Sequence, residues 1–409
     1  MDRRFDDYVF QADYGQEQDL YNEIVEMEKN SIWVPGITSK DIVILGLDDS
    51  PLFGDIGSDE VPMMTFAECM RYGIAEDLLD ETMNRGQKLV VKLSHTQGLM
   101  RNTAYPSLCE TAKINGAALG RLFEKNHFEF AEMMNLALSV AKGTTLALER
   151  YGKISALHSS ADGGYEVMPI SKLFKITTSA LKDRFGTIDF QHGSNSHGYT
   201  SATWELPDAR DKILTLYQDA VQAKNSKYAI NFMPAVRFAS SDTAISCATL
   251  EPVFVMPSGA TTGFVDPIRV KHSKRGSSNG SKTPIEVFEE EADTVWAKFE
   301  ESAKAISDLS NITIYNGCNC VVSLCKKYRI PKKYGEAARL EVERLTSGGD
   351  PTITAHDLYL AMTEIVAEAM RCDANDRTIS NLNEAVNKVL KADWLEHDVG
   401  GMVAWGNAA

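Results

Sequence analysis

The chain has 409 residues, of which 44% are hydrophobic and 24% charged, and its formal net charge is −15. This composition is typical of a soluble globular protein, and the length is enough for two or three domains. The polar, acidic N-terminus does not look like a signal peptide, no apolar run approaches the roughly 20 residues that span a bilayer, and the odd number of cysteines argues against a disulfide framework. We therefore expect a cytoplasmic protein without a membrane partner.

Most of the acidic charge lies near the N-terminus. Residues 1–90 carry a net charge of −13, whereas the remaining 319 residues carry −2. Basic clusters in the rest of the chain therefore stand on a nearly neutral background. The acidic stretch itself is typical of a solvated surface, and the alternatives are a partner-binding region or a competitor for a basic patch.

The first part of the chain mixes helices with strands. Periodicity predicts helices at 16–29, 104–115 and 127–142 and short buried strands at 41–47 and 87–94. The third helix is expected to bury a stripe formed by Phe128, Met133, Leu136 and Val140.

The central part alternates strands with helices. Residues 144–159 predict a β-hairpin around Tyr151 and Gly152, and residues 170–185 an amphipathic helix that ends at Gly186. Asp208 is expected to cap the next helix at its N-terminus. Pro234, inside the strand pattern that follows, favours an edge strand or a β-bulge.

The last part is helical. Thr283 and Glu286 have the spacing of a capping box that begins a long helix, and Thr354 with Asp357 forms a weaker one. The fold class predicted is α+β. It comprises a mixed α/β N-terminal region (1–143), a central strand-rich sheet with packed helices (144–282) and a helical C-terminal region (283–409).

A first basic cluster follows the central strands. Its members are Arg269, Lys271, Lys274, Arg275 and Lys282, and no acid occurs between Asp266 and Lys282. If Ile268 and Val270 face the core, strand alternation points Arg269 and Lys271 outward. Cations beside a sheet edge suit a phosphodiester backbone, since phosphate contacts need charge more than fixed geometry. The alternative is a solvated connection between elements.

A second basic cluster lies in the helical region. It consists of Lys326, Lys327, Arg329, Lys332 and Lys333, with Tyr328 and Tyr334 interleaved. Cations beside aromatic rings are typical of sites for single-stranded nucleic acid, where bases stack on the rings. The alternative is a helix–proline–helix junction with a charged surface.

Catalytic and metal-binding patterns are weak. His192 and His197 near Asp189, and the Cys318, Cys320 and Cys325 group, are the only arrangements that suggest a metal, and neither completes a recognisable ligand set. P-loop, nucleophile-elbow, zinc-protease and dinucleotide-binding motifs do not occur in the sequence. We assign no catalytic residue, metal or cofactor, although scattered acids leave a metal-dependent nuclease open.

Several stretches resemble a family of phage- and plasmid-encoded proteins known only as a domain of unknown function. They are residues 101–122, 153–174, 197–207, 236–254 and 263–273. The resemblance implies a mobile-element origin and no particular activity. Such elements often encode single-strand annealing and DNA-protection proteins, which by analogy favours DNA as the ligand.

The leading hypothesis is therefore a non-enzymatic, DNA-associated protein of a mobile element. It would bind or anneal single-stranded DNA through the two basic clusters, as a homo-oligomer in the host cytoplasm. A second hypothesis is a structural or protein-binding component, virion-associated or antagonising host defence, with the acidic N-terminal third as its surface. The third is a metal-dependent nuclease or hydrolase using acids or His192 and His197.

Overall fold

The computed structural model describes residues 10–48, 63–85, 87–94, 96–159, 164–221, 232–243, 245–256, 261–262, 267–273, 282–348, 351–372, 374, 376–401 and 403–405. The strands are β1 (Gln11–Tyr14), β2 (Ser31–Thr38), β3 (Val43–Asp48), β4 (Met63–Thr65), β5 (Leu89–Lys92), β6 (Gln97–Met100), β7 (Thr144–Arg150), β8 (Lys153–Ser159), β9 (Asp189–Ser196), β10 (Thr200–Glu205), β11 (Met233–Ser240), β12 (Ala248–Val255), β13 (Thr261–Thr262), β14 (Ile268–Val270), β15 (Thr313–Ile314) and β16 (Ile353–Thr354). The helices are α1 (Glu17–Lys29), α2 (Phe66–Arg71), α3 (Glu76–Arg85), α4 (Ala104–Ala112), α5 (Ala117–Lys125), α6 (His127–Val140), α7 (Ile170–Phe185), α8 (Arg210–Val221), α9 (Pro284–Ala292), α10 (Val295–Asp308), α11 (Gly317–Lys327), α12 (Lys332–Thr346), α13 (Ala355–Met362), α14 (Glu364–Arg371), α15 (Asp376–Val389) and α16 (Trp394–His397). This α+β architecture confirms the predicted fold class. Among the described residues, none of the helices has the length and apolarity needed to cross a membrane.

The first sheet has the strand order β2-β7-β8-β6-β5-β3-β4. The predicted hairpin is confirmed, and its turn places Tyr151 and Gly152 in the left-handed region, with φ of 50° and 74°. We placed β7 and β8 in the central region by sequence, yet both strands belong to this N-terminal sheet. A hairpin pattern specifies its own pairing and not the sheet that it joins. Helices α4 and α6 pack on the sheet.

The second sheet is antiparallel, with the order β1-β9-β10-β11-β12-β13 and β14 paired to β12. Its inner face buries Trp204, Phe238 and Phe254 against the helices. The expectation that Pro234 marks an edge strand or bulge is wrong, because β11 lies between β10 and β12 in regular register. The proline is the second residue of β11, beyond its last pair with β10, where a missing N–H is tolerated.

Two helix starts agree with the sequence prediction and one does not. Thr283 and Glu286 form the full capping box of α9, and the Thr354 hydroxyl caps α13 by accepting the Asp357 N–H. Asp208 does not cap α8, which follows a 3-10 turn. Its carboxylate instead accepts hydrogen bonds from the Thr187 hydroxyl and from the Thr187 N–H, the latter at 2.8 Å, and both lower the pKa of Asp208.

The stripe predicted for α6 is wrong. Met133, Leu136 and Val140 are 39%, 71% and 75% exposed. The helix buries Phe130, Ala131, Met134 and Leu138 instead. Both sets have helical spacing, and α6 is apolar on more than one side, so periodicity alone did not decide which face is covered. The consequence is an apolar stripe on the surface.

The two sheets meet at a buried ion pair. Arg150, the last residue of β7, pairs with Asp242, which follows β11, and its guanidinium is only 2% exposed. The same guanidinium donates to the Ser31 hydroxyl at 2.9 Å and to the His197 carbonyl at 3.0 Å. The first sheet is therefore tied to the second through a desolvated charge with defined partners.

An aromatic stack crosses the same junction. The Tyr165 ring lies parallel to the His158 ring at 3.6 Å and stacks on the His272 ring at 5.2 Å. Trp33 of β2 stacks with both His158 and Tyr165, at 5.9 Å and 5.7 Å between ring centroids. The His158 Nε2 hydrogen bonds to the Asp242 carbonyl at 2.7 Å. Rings from β2, from β8 and from the segment after β14 thus form one aromatic stack.

Candidate nucleic-acid interface

The second basic cluster forms a corner between α11 and α12. The chain leaves α11 through a Schellman motif, in which the Ile330 N–H bonds to the Cys325 carbonyl and the Arg329 N–H to the Lys326 carbonyl. Ile330 and Cys325 are both buried, which supplies the hydrophobic contact of the motif. Pro331 then precedes the first residue of α12. The predicted helix–proline–helix junction is confirmed.

Arg329 has an unusual backbone conformation at this corner. Its φ is 57°, in the left-handed region, at the position where helices commonly place glycine. A side chain with a Cβ costs roughly 1–2 kcal/mol there. The strained position carries an exposed guanidinium rather than the residue that the turn itself prefers.

Most cations of the corner are available to an outside ligand. Lys326, Arg329, Lys332 and Lys333 are exposed, and within the described ranges no carboxylate forms a salt bridge with them. Lys327 differs, because its Nζ lies 3.5 Å from Glu396 Oε2 and 3.2 Å from His397 Nε2. We call Lys326, Arg329, Lys332 and Lys333 the basic corner.

The aromatic part of the prediction is wrong for one ring. Tyr334 is 3% exposed and belongs to the helical core, with the Lys333 Nζ 4.3 Å above its ring centroid. Tyr328 is half-buried against the same core. Tyr334 therefore is not available to stack on a base, and the corner acts through charge.

Two of the three described cations of the first basic cluster are paired with carboxylates. Ile268 and Val270 are buried and Arg269 and Lys271 point outward, as the strand alternation predicts. Arg269 lies 3.4 Å from Glu384 on α15, and Lys282 lies 2.6 Å from Glu290. Lys271 is exposed without a carboxylate partner in the described chain. Lys274 and Arg275 lie outside the described residues.

A cavity of about 300 Å³ lies between the outer face of the second sheet and α15. Arg269, Glu251 and Glu384 line it together with polar side chains that include Thr249 and Asn381. Burial raises the pKa of Glu251, whereas the positive charges of Arg237 and Arg269 oppose that shift. A hydrogen bond from Lys388 lowers the pKa of Glu384. The cavity holds two carboxyl groups in different environments.

Sequence reasoning missed Glu251 as a site residue. The signal was present, because Thr249, Glu251 and Val253 alternate with Leu250 and Phe254 along β12. A glutamate within an otherwise apolar strand of this kind marks a polar position on the face opposite the core.

Residues of both basic clusters lie against the α14–α15 pair. The pKa of Cys372, next to the end of α14, is raised by partial desolvation and by Glu368, and the nearby Lys333 ammonium opposes this shift. Arg269 contacts Glu384, and α14 packs on α15. Glu384 lies eight residues from the start of α15, about 12 Å along the helix axis.

The metal arrangements suggested by the sequence do not assemble in the described part of the chain. It contains no group of three histidine, cysteine or acidic side chains that could hold a metal ion. His197 is buried against Phe10, whereas His192 is exposed on β9. Burial raises the pKa of Cys320 and Cys325 to about 12. These thiols act as small apolar groups in the core.

Comparison of the chain with protein-family models, with curated proteins and with solved structures finds no match.

Proposed function

We propose that the protein binds single-stranded nucleic acid, with the basic corner as its main backbone contact. The observation that carries this proposal is the set of four exposed cations without carboxylate partners in the described chain, one of them held in a strained left-handed conformation. Phosphate groups are the ligands that such a surface suits best. The basic corner lies in the part of the chain outside residues 1–90, which carries a net charge of only −2.

A single strand fits better than a duplex. A flexible strand can follow charges spaced around a helix–helix corner, whereas a stiff duplex contacts an even surface. DNA of a phage or plasmid is the ligand that the sequence resemblance favours. The cytoplasm of the host cell is the proposed location, and it accords with seven cysteines that are all free thiols. The proposal involves no catalytic step.

Charge reversal at the corner tests this function. The variant Arg329→Glu/Lys332→Glu/Lys333→Glu is expected to bind a 20-nucleotide single strand about 100-fold more weakly at 50 mM salt, because three phosphate contacts become repulsive. Fluorescence anisotropy with a labelled oligonucleotide measures the affinity.

Two controls separate the corner from global effects. Arg121, Lys125 and Lys142 are exposed cations outside the basic corner. Reversing all three changes the net charge by the same amount as the corner variant. If local contacts rather than net charge control the affinity, this control is expected to bind less than about threefold more weakly than the wild type. Arg329→Gly relieves the backbone strain, so it is expected to keep or raise stability while weakening binding. Equal losses in both triple variants would contradict the proposal.

Self-association is a second candidate function, favoured by the exposed apolar stripe of α6. We propose that a second copy of the chain covers Met133, Leu136 and Val140, with α6 packing on its own symmetry mate around Leu136. A helix face of this kind is self-complementary in a two-fold dimer. The stripe lies beyond the acidic residues 1–90, so it is a different surface from the one that the protein-binding hypothesis singled out.

Leu136→Glu is expected to convert a dimer into a monomer without unfolding it. Leu136 is 71% exposed, so the substitution is expected to change the free energy of unfolding by less than about 0.5 kcal/mol. Light scattering coupled to size exclusion gives the mass of each form. A dimer with a dissociation constant on the order of 100 µM or below would be seen at about 100 µM protein. A wild-type protein that stays monomeric at about this concentration would remove the candidate.

A further inference from the structure

Glu251 is a buried carboxyl group whose role the basic corner does not explain. It points from β12 to the outer face of the second sheet and is 8% exposed. Among the described residues it has no hydrogen-bond or salt-bridge partner. Its carboxyl group lines the cavity, where a ligand with hydrogen-bond donors can reach it.

The other charges near Glu251 are paired elsewhere or do not form a salt bridge with it. Glu384 pairs with Arg269 at 3.4 Å and with Lys388 at 2.8 Å. Arg237 is the cross-strand neighbour of Glu251 on β11 and is half-buried, but it forms no salt bridge with Glu251. The pocket is therefore close to electrically balanced, with one carboxyl group free to accept hydrogen bonds.

A cation stands at the rim of the pocket. Cys247 lines it, and the positive charges of Arg269 and Lys271 oppose the effect of burial, which raises the pKa of this thiol. Lys271 is exposed at the end of β14, next to Cys247. A ligand that fits this arrangement carries hydrogen-bond donors at its inner end and an anionic group at its outer end.

We propose that this pocket binds one nucleotide with an amino-bearing base, preferentially guanine, whose edge donates to Glu251 while its phosphate lies on Lys271. In its ionised form, which the positive charges of Arg237 and Arg269 favour, the Glu251 carboxylate only accepts hydrogen bonds, and guanine presents two adjacent donors on its Watson–Crick edge. Cytosine offers an amino group, whereas thymine offers two carbonyl oxygens that a carboxylate repels. The volume of about 300 Å³ accommodates a purine nucleotide.

For a nucleotide within a strand, this inference rests on the proposed function. Binding of free nucleotides tests the pocket by itself. Guanosine 5′-monophosphate and thymidine 5′-monophosphate are titrated into the wild type, Glu251→Gln and Glu290→Gln. Glu290 is an exposed glutamate outside the pocket. We expect wild type and Glu290→Gln to prefer the guanine nucleotide by about 5- to 100-fold, as a good bidentate contact does, and Glu251→Gln to lose that preference. Equal affinities for the two nucleotides in the wild type would overturn the inference.

Strand binding separates the two proposals. Labelled oligothymidine, with and without one central guanine, is compared in the wild type, in Glu251→Gln and in the triple corner variant. The guanine is expected to raise wild-type affinity and to have no effect in Glu251→Gln, while the corner variant weakens both strands by the same factor. Binding of oligothymidine without a guanine effect would overturn the pocket alone. If the wild type binds neither strand but still prefers the free guanine nucleotide, the proposed function alone is overturned.

Discussion

Asp242→Leu is expected to lower the free energy of unfolding by about 3–5 kcal/mol, because it leaves the buried Arg150 guanidinium without its counter-charge. Arg150 is 2% exposed, and its other contacts are the neutral Ser31 hydroxyl and the His197 carbonyl. These neutral acceptors do not replace a carboxylate at a buried site. Urea unfolding followed by circular dichroism measures the loss.

A surface pair provides the matched control. Arg344 contacts Glu341 on α12 and its side chain is 66% exposed. Arg344→Ala is therefore expected to cost less than about 1 kcal/mol. The double variant Arg150→Met/Asp242→Leu is expected to recover much of the loss, since it removes both buried charges. A cost for Asp242→Leu no larger than that of Arg344→Ala would show that the junction does not depend on this ion pair.

The protein is expected to lose stability as the pH falls from about 6.5 toward 4. Burial lowers the pKa of both His158 and His272 to about 4, from 6.5. The folded state therefore favours the neutral rings, and the stability from this preference is fully present above pH 6.5. This stability is lost as the pH falls below 6.5, because the unfolded state then binds protons more readily than the folded state. The loss is on the order of 3 kcal/mol per histidine at most. Urea unfolding at a series of pH values measures the slope.

His272→Phe separates the titration from the packing. The His272 ring nitrogens have no hydrogen-bond partner in the described structure, and the ring stacks on Tyr165. A phenyl ring keeps the stack and cannot be protonated, so stability at pH 7.5 is expected to hold while the loss below pH 6.5 is roughly halved. His192→Gln, at an exposed site, is expected to leave the slope unchanged. An unaltered slope in His272→Phe would contradict this account.

Local signals in the sequence identified individual elements and their caps. The turn at Tyr151 and Gly152, the Thr283 capping box and the alternation of Ile268 and Val270 each depend on neighbouring residues only, and each is confirmed. The fold class follows from such elements taken together. No local signal states which sheet the β7–β8 hairpin joins, because that depends on pairing with β2 and β6.

Tertiary contacts account for the predictions that failed. Leu136 and Met134 lie on different faces of α6, and packing on the first sheet buries only the second. Asp208 has a capping side chain, but its carboxylate accepts the Thr187 N–H instead. In both cases, contacts with residues distant in the sequence decided the outcome, and a local pattern does not report such contacts.

The candidate site was predicted in composition and not in geometry. Both basic clusters were found from charge alone, but Arg269 and Lys282 have carboxylate partners far along the chain or in the next helix. The left-handed conformation of Arg329 is not visible in the sequence, because glycine is what such a turn normally signals. The Glu251 pocket requires β12 and α15 to be adjacent, which no spacing reports.

The salt dependence of single-strand binding tests the central claim most directly. Four phosphate contacts at the basic corner predict that log K falls with log salt with a slope of about −3 for the wild type, and that the triple corner variant loses about two units of that slope. The titration runs from 50 to 300 mM salt with a labelled 20-nucleotide strand, a range in which such contacts change affinity several-fold to 100-fold. A wild-type slope of about −3 that falls to about −1 in the variant is the predicted result. No binding at 50 mM salt, or the same slope in both proteins, would contradict the claim.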